Sequence, residues 1–331
     1  MKIIVDAFGG DNAPVEILKG CSAAINDHSD LELIVTGPED KIKKAAEEND
    51  IDISKLTIVH CDEILTMEDH ATDVVKKKKN SSMAVGLKMV ADGKADAFLS
   101  AGNSGALITG ATLIVKRIKG IKRPAFSPII PKAEGMFMLI DGGANAECKA
   151  DMLQQFAIMG SVYLDKVMGV KNPRVGLANV GTEDHKGDPL RLEAFALLKE
   201  TPVNFIGNVE GRDIPLDGCD VLVTDGFNGN LILKTYEGVA ITLMKKMKHM
   251  FTDSVKGKLA AVLTMKHLKE LKKKFDYNQY GGAPILGSAK PVFKAHGDSK
   301  AVTIRFAVEL SMNYVNGNAI DIISSSLFSG E

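Results

Sequence analysis

The sequence predicts an α/β fold: three layers, α/β/α, with a mostly parallel sheet in the middle. Three observations predict it. β-rich runs alternate with helical patterns along the chain. Most of the runs end in Gly, Asn, Ser or Asp before the next helix begins, as the strand-to-helix turns of parallel sheets do. The chain is 331 residues long, 45% hydrophobic and 25% charged, enough to bury a large core in a soluble globular protein.

Taken in order, the strand candidates are IIVDAFGGD (3–11), LELIVTG (31–37), LTIVHCDE (56–63), DAFLSAGNSG (96–105), FMLIDGGAN (137–145), RVGLANVGTED (174–184), NFIGNV (204–209) and DVLVTDGFNGN (220–230). Several carry unbroken apolar runs, the mark of a sheet covered on both faces. Helical periodicity fills 14–26, 39–48, 81–92, 151–168, 188–199 and 299–317, and it resumes at Ala106 after the fourth strand. The opening MKIIVDAFGGD reaches Asp6 after three apolar residues, so it reads as a first strand and not a signal peptide. No repeat or low-complexity linker divides the chain. Residues 1–331 read as one α/β/α domain, bilobed at most, with a helical hairpin inserted at about 235–280.

That hairpin reads as Thr235–Phe251 and about Lys258–Phe275, joined near Thr252–Gly257. Leu243, Met244, Met247, Met250 and Phe251 give one apolar stripe; Leu259, Val262, Leu263, Leu268, Leu271 and Phe275 give another. Residues 245–274 hold ten lysines against Asp253 and Glu270, a net of +8; with −1 for the whole chain, the rest carries −9. No apolar run reaches the length of a membrane-spanning helix. The four cysteines (Cys21, Cys61, Cys148, Cys219) lack metal-ligand spacing and read as reduced thiols in the cytosol.

Five loops at strand ends carry the chemistry: GGDN (9–12), SAGNSGA (100–106), DGGAN (141–145), NVGTEDHKGD (179–188) and TDGFNGN (224–230). Glycine lets backbone N–H groups approach an oxyanion, Asn, Ser and Thr add neutral donors, and a following helix adds its dipole. Lys186 and His185 supply cations. Together this is chemistry for phosphate, beyond the carboxyl ends of the strands where such sheets bind ligands. There is no G-x-x-x-x-G-K-[ST], no G-x-G-x-x-G after the first strand, no G-x-S-x-G and no H-E-x-x-H. Asp6, Asp11, Asp141 and Asp225 are the residues that would hold Mg²⁺, but aspartates at strand ends also cap helices, and no metal is assigned.

The loops SAGNSGA, NVGTEDHKG and TDGFNGN, with YGGAPILG (280–287) and KAHG (294–297) in this order, resemble the PlsX-type acyl-carrier-protein:phosphate acyltransferases of bacteria. VDAFGGDNAP at the start and KKKKNSSM at 76–83 fit as well, so the resemblance covers about residues 3 to 310. Ser104 stands where that family favours Thr, keeping the hydroxyl, and His185 where Lys is common. The resemblance implies transfer of a long-chain acyl group from an acyl-carrier-protein thioester to inorganic phosphate, giving acyl phosphate for phospholipid synthesis. It implies a fold like the isocitrate and isopropylmalate dehydrogenases and the phosphotransacetylases, a homodimer, and no cofactor. Phosphate is then the nucleophile, so no Ser-His-Asp or Cys-His pair is needed.

On that resemblance Lys186 and Asn230 are catalytic. Asn103, Ser104 and Gly105 hold phosphate, with Thr182, Asp225, Gly226 and His296 in its neighbourhood. An acidic carrier protein would dock on lysines near the site mouth, Lys76 to Lys79 and parts of the hairpin. Val255, Leu259, Val262 and Leu263 at the hairpin joint, bracketed by Lys256, Lys258 and Lys266, suit contact with an anionic membrane. The expectation is a cytoplasmic protein, peripheral on the inner face of the cell membrane, which passes its product to a membrane acyltransferase downstream and binds no nucleic acid. Two rival readings remain at this level. One is a metal- and NAD-dependent decarboxylating dehydrogenase on the same fold, though the loops hold few arginines, Arg212 being the nearest. The other is a non-enzymatic, membrane-associated lipid-regulatory scaffold, which would leave the polar loops without purpose.

Overall fold

The computed structural model describes residues 1–274 and 281–328. In chain order the main elements are β1 (Lys2–Asp6), α1 (Val15–Asp27), β2 (Glu32–Gly37), α2 (Glu39–Glu48), β3 (Thr57–His60), α3 (Ser82–Ala91), β4 (Ala97–Ser100), α4 (Ser104–Gly110), β5 (Ala125–Phe126), β6 (Ile129–Pro131), β7 (Met136–Ile140), α5 (Ala150–Lys166), β8 (Arg174–Asn179), α6 (Pro189–Lys199), β9 (Asn204–Glu210), β10 (Val221–Val223), α7 (Gly226–Thr252), α8 (Val255–Lys274), β11 (Ala283–Leu286), β12 (Val292–Lys294), α9 (Ala301–Asn316) and α10 (Ala319–Phe328). All eight strand candidates form strands, and each helical stretch outside the hairpin forms a helix within two residues of its expected ends. The elements absent from the sequence reading are the short strands β5, β6, β11 and β12 and the terminal α10. Two to four residues carry too little alternation to register as a strand.

The strands form two sheets. The first runs β3-β2-β1-β4-β12-β11-β5 and the second β6-β7-β10-β8-β9. Both are mostly parallel; the antiparallel pairs are β11 with β12, β11 with β5, and β6 with β7. Strongly twisted open sheets rarely exceed about ten strands before they split, which suits this division. One apolar cluster nevertheless runs through both sheets. It includes Val5 and Leu99 from the first, Val175 and Val223 from the second, and Phe156 and Tyr163 of α5. The central strands are buried on both faces: Ile3, Ile4, Phe98, Leu99, Leu222 and Val223 have almost no exposed surface. That burial follows from their unbroken apolar runs.

Topology decides where the loops go. From β1 the chain moves outward through β2 to β3, then returns to place β4 on the other side of β1. The reversal leaves a crevice beyond the carboxyl ends of β1 and β4, where open α/β sheets bind ligands. In the second sheet β10 lies between β7 and β8, so DGGAN, TDGFNGN and NVGTEDHKGD emerge side by side.

Short 3₁₀ and π turns aside, the largest difference from expectation is α7. It starts at Gly226, nine residues before Thr235, and runs for 27 residues. Glycine and asparagine in TDGFNGN suggest a loop, but Asp225 caps a helix there, accepting from the Asn228 N–H at 2.9 Å. Residues 253 and 254 alone separate α7 from α8. Met244, Met247, Phe251 and Leu268 are half-buried in the hairpin, whereas Leu259, Val262 and Leu263 face outward. Phe275 and Tyr280 lie outside the described residues.

Candidate active site

A cavity of about 400 Å³ opens where the carboxyl ends of the two sheets meet. Its polar end is built from loops of both sheets: Asp11, Ser104, Lys294, His296 and Asp298 from the first, Gly142, Gly143 and Asn230 from the second. Its other wall is apolar, made by Phe126, Ile129, Ile130, Leu233 and Tyr236. The Tyr236 hydroxyl donates to the Pro131 carbonyl at 2.6 Å, so it is occupied within the wall. The pocket is therefore lined by both polar and apolar groups, and Lys234 and Glu237 of α7 also border it next to Leu233 and Tyr236.

Close packing of loops makes the polar end. A methyl group on Gly9 would stand 2.6 Å from Ser100 Oγ and 2.7 Å from Gly102 N, so only glycine lets GGDN lie against SAGN. The Asp11 N–H donates to the Gly297 carbonyl at 2.8 Å, and Asn12 Nδ2 to that of Asp298 at 3.0 Å. GGDN, SAGN and KAHG are thus tied at the ends of the adjacent strands β1, β4 and β12. Across the cleft, a methyl on Gly229 would collide with the Asp141 carbonyl oxygen. Gly226 N–H donates to the Asn145 carbonyl at 2.7 Å. This locks the first turn of α7 onto DGGAN and places Asn230 against Gly143.

Several polar loop residues hold the frame. Asn103 Oδ1 caps α4 by accepting from Ala106 N–H at 3.0 Å. Its Nδ2 donates to the carbonyls of Met67 at 3.2 Å and Asp69 at 3.0 Å. Asp141 is fully buried and accepts from the backbone N–H groups of Phe126, Gly143, Ala144 and Asn145 and from Asn145 Nδ2. Asp225 accepts from Asn228 N–H and Nδ2 and from the Arg191 guanidinium, and these partners hold its carboxyl below the usual range against the opposing effect of burial. Burial pushes the Asp6 carboxyl up, although Ser100 Oγ donates to it at 2.8 Å.

The structure brings Ser104, Asn230 and His296 into one cavity, with Asn103, Gly105, Asp225 and Gly226 in the loops that shape it. His296 Nδ1 stands 2.7 Å from Asp298 Oδ1. Lys186 and Thr182 are exposed on the loop after β8 and are not among the cavity's lining residues. That loop is anchored: Asn179 Nδ2 donates to the Lys186 carbonyl at 3.0 Å, and Asn208 Nδ2 to that of Glu183 at 2.8 Å. It ends at Asp188, the cap of α6, from which Arg191 reaches Asp225. The sequence reading missed Lys294 and the apolar wall. KAHG was a visible motif, but a lysine in it reads as exposed unless the three-residue β12 is recognised. All four cysteines are free thiols. Burial pushes Cys61 up to about 11 and Cys21, Cys148 and Cys219 to about 12, too high for a thiolate nucleophile near neutral pH.

Comparison with known proteins bears on the chain as a whole. A family model described as "Fatty acid synthesis protein" matches residues 1–321. The chain is 45% identical to a phosphate acyltransferase of Clostridium acetobutylicum over 327 residues, covering 99% of both chains. It is 47% identical to one of Bacillus licheniformis over 329 residues, covering 99% of this chain and 98% of the other. Among solved structures, a phosphotransacetylase from Streptococcus pyogenes superposes with a TM-score of 0.63 at 18% identity, covering 97% of this chain and 94% of the other. A branched-chain phosphotransacylase from Enterococcus faecalis gives 0.57 at 15% identity, covering 95% and 99%. At that identity the solved structures speak for the fold alone.

Proposed function

The chain belongs to the fatty acid synthesis protein family and is a phosphate acyltransferase that serves phospholipid synthesis, and from that premise we propose how its cleft performs the transfer. The observation that carries the reading is the division of one cavity into a polar end and an apolar wall. The acyl chain lies along Phe126, Ile129, Ile130, Leu233 and Tyr236, where burial of each methylene contributes about 0.8 kcal/mol. The thioester carbonyl then reaches Ser104, Asn230 and His296, where inorganic phosphate waits. Neither the dehydrogenase nor the scaffold reading is favoured by these relatives.

The reaction is a substitution at the carbonyl carbon. A phosphate oxygen attacks, the C–S bond breaks, and the proton of hydrogen phosphate ends on the departing thiolate. Acyl phosphate and a free thiol result, with atoms and charge balanced. Alignment of the nucleophile accounts for part of the rate, and donors aimed at the developing oxyanion for more. Asn230 supplies an amide donor from the start of α7. Lys186, on the loop after β8, the strand paired with β10, lies outside the cavity lining, and its proposed role is to meet the developing charge from that loop. His296, beside Asp298, is placed to carry the proton.

The finer setting is also a proposal. The acyl donor is the thioester of an acyl carrier protein, and the active form is a homodimer. No described helix is long and apolar enough to cross a membrane. Val255, Leu259, Val262 and Leu263 are 85%, 63%, 69% and 78% exposed at the hairpin joint, which supports peripheral contact with an anionic membrane surface. There the product would pass to a downstream membrane acyltransferase. The test is incubation with long-chain acyl-carrier-protein thioester and labelled phosphate. Labelled acyl phosphate together with free carrier thiol is the expected result; thiol release without labelled product would mean that water, not phosphate, is the acceptor.

A further inference from the structure

Lys294 has no part in the reaction as described above, yet it lines the cavity from the end of β12, beside β4 in the first sheet, whereas Lys234, which also lines it, is paired with Glu237 at 2.8 Å. Lys294 is paired in register with Ser100 of β4 and is 7% exposed. Its ammonium donates to the Ala101 carbonyl at 3.0 Å and to the Ala295 carbonyl. An ammonium carries three N–H donors, so these two leave one for the cavity. Among the described residues no carboxylate forms an ion pair with it; Asp11, Asp6 and Asp298 act on it only from a distance. A buried charge without a partner is costly, and the cost persists where a ligand supplies the missing opposite charge.

We propose that Lys294 is the cation that binds the acceptor phosphate at the polar end of the cavity, aimed by the carbonyls of Ala101 and Ala295. Only the identity of the anion rests on the acyl-transfer reading. The position fits an oxyanion ligand: the ammonium lies where GGDN, SAGN and KAHG converge, beyond the carboxyl ends of β1, β4 and β12. A purely structural lysine would serve to tie the end of β4 to β12, and a neutral donor would do that equally well. Charge is what distinguishes the two roles.

The acidity of the group supports the geometry. Burial brings the Lys294 ammonium down to about 8; Asp11, Asp6 and Asp298 favour the charged form and Lys234 of α7 opposes it. His296 shares the cavity. The protonated form prevails below that value, so phosphate binding should weaken as pH rises through it, even though phosphate itself only gains charge.

The test uses the full chain and inorganic phosphate. Phosphate affinity is measured by calorimetry without thioester, and KM for phosphate and for thioester by turnover. Lys294→Gln keeps an N–H donor and drops the charge; Lys294→Met drops both. Both variants should weaken phosphate binding and raise its KM by at least about tenfold, with the thioester KM moving less than about threefold. Wild-type phosphate affinity should fall between pH 7 and 9, and this readout needs no variant. Wild-type affinity in a folded Lys294→Gln, or a flat wild-type profile from pH 7 to 9, overturns the proposal. The two readings fail separately. Phosphate binding that depends on Lys294 without acyl transfer would sink the reaction, whereas acyl transfer with an unchanged phosphate KM in Lys294→Gln would sink the role of Lys294.

Discussion

Asn230 and Lys186 stand at different depths, yet the proposed mechanism gives both variants the same outcome. Asn230 lines the cavity against Gly143, while Lys186 is exposed outside it. If both meet charge that develops only in the transition state, Lys186→Ala and Asn230→Ala should each lower kcat by at least about 30-fold, roughly 2 kcal/mol, with the fold intact. Near-wild-type turnover in either would remove that residue from the mechanism. Lys294 carries a second, separate prediction. Its folded value of about 8 lies below the ordinary lysine value of 10.5, so between these the unfolded chain binds the extra proton. Stability should therefore rise with pH across that window, by up to ~3 kcal/mol relative to Lys294→Met, because each tenfold change in proton affinity corresponds to about 1.4 kcal/mol. Urea unfolding of both proteins at pH 7.5 and 10.5 measures it, and an unchanged difference would mean that Lys294 is not held as a buried cation. Ser104, Asn230 and His296, which the structure places in the cavity, were legible as candidates because their types and motifs are local. Lys294 was not, since burial of a charge is a tertiary fact that no spacing reveals.

At the scale of elements, the polar loops have two functions, and the sequence displays only their composition. SAGNSGA and TDGFNGN line the cavity, but Asn103 and Asp225 within them are helix caps. The same chemistry that favours a cap, a short side chain with an exposed oxygen, also suggests a phosphate ligand, so residue type alone leaves the roles mixed. The start of α7 was hidden for a related reason: Gly226 and Gly229 lower helix propensity, and their packing against Asn145 and Asp141 outweighs it. The hairpin was legible from its periodicity, but which face each stripe presents was not. Leu259, Val262 and Leu263 point outward, beside Lys256, Lys258 and Lys266, also exposed. Each lysine near an anionic surface contributes roughly 1 kcal/mol, enough with a small apolar tip for reversible association. Wild-type protein should co-sediment with anionic vesicles and less with neutral ones, and the Leu259→Glu, Leu263→Glu pair should abolish it while leaving turnover of carrier thioester in solution unchanged. Equal sedimentation of the double variant would assign these residues to another surface, such as a subunit contact.

For the whole molecule, strand order is the part the sequence leaves open. β11 and β12 join the first sheet from the far end of the chain, which places KAHG beside GGDN although nearly 300 residues separate them. One apolar cluster then ties both sheets together, and the proposal of a single domain with two lobes over residues 1–331 rests on it. On the proposed function, a carrier protein arrives at the cleft at their junction. Met67 lines the cavity, and Asn103 binds the carbonyls of Met67 and Asp69. Lys78 in turn donates to Asp69 at 2.7 Å, so the lysine run 76–79 is fastened to the loop at the cavity. Lys78 is thereby engaged, holding the Asp69 carboxyl down to about 2. Lys76, Lys77 and Lys79 remain exposed. An acidic carrier that docks there is drawn by long-range charge, whose reach shrinks from about 10 Å at 0.1 M salt to about 3 Å at 1 M. Phosphate, bound inside the cavity, is screened far less. Raising sodium chloride at fixed phosphate should therefore increase the KM for the carrier thioester steeply and the KM for phosphate little. Lys76→Glu with Lys79→Glu should reproduce the high-salt KM at low salt and flatten its salt dependence, with kcat retained. A salt response that survives in this pair would move the docking surface elsewhere, with the lysines of the hairpin next to be tested.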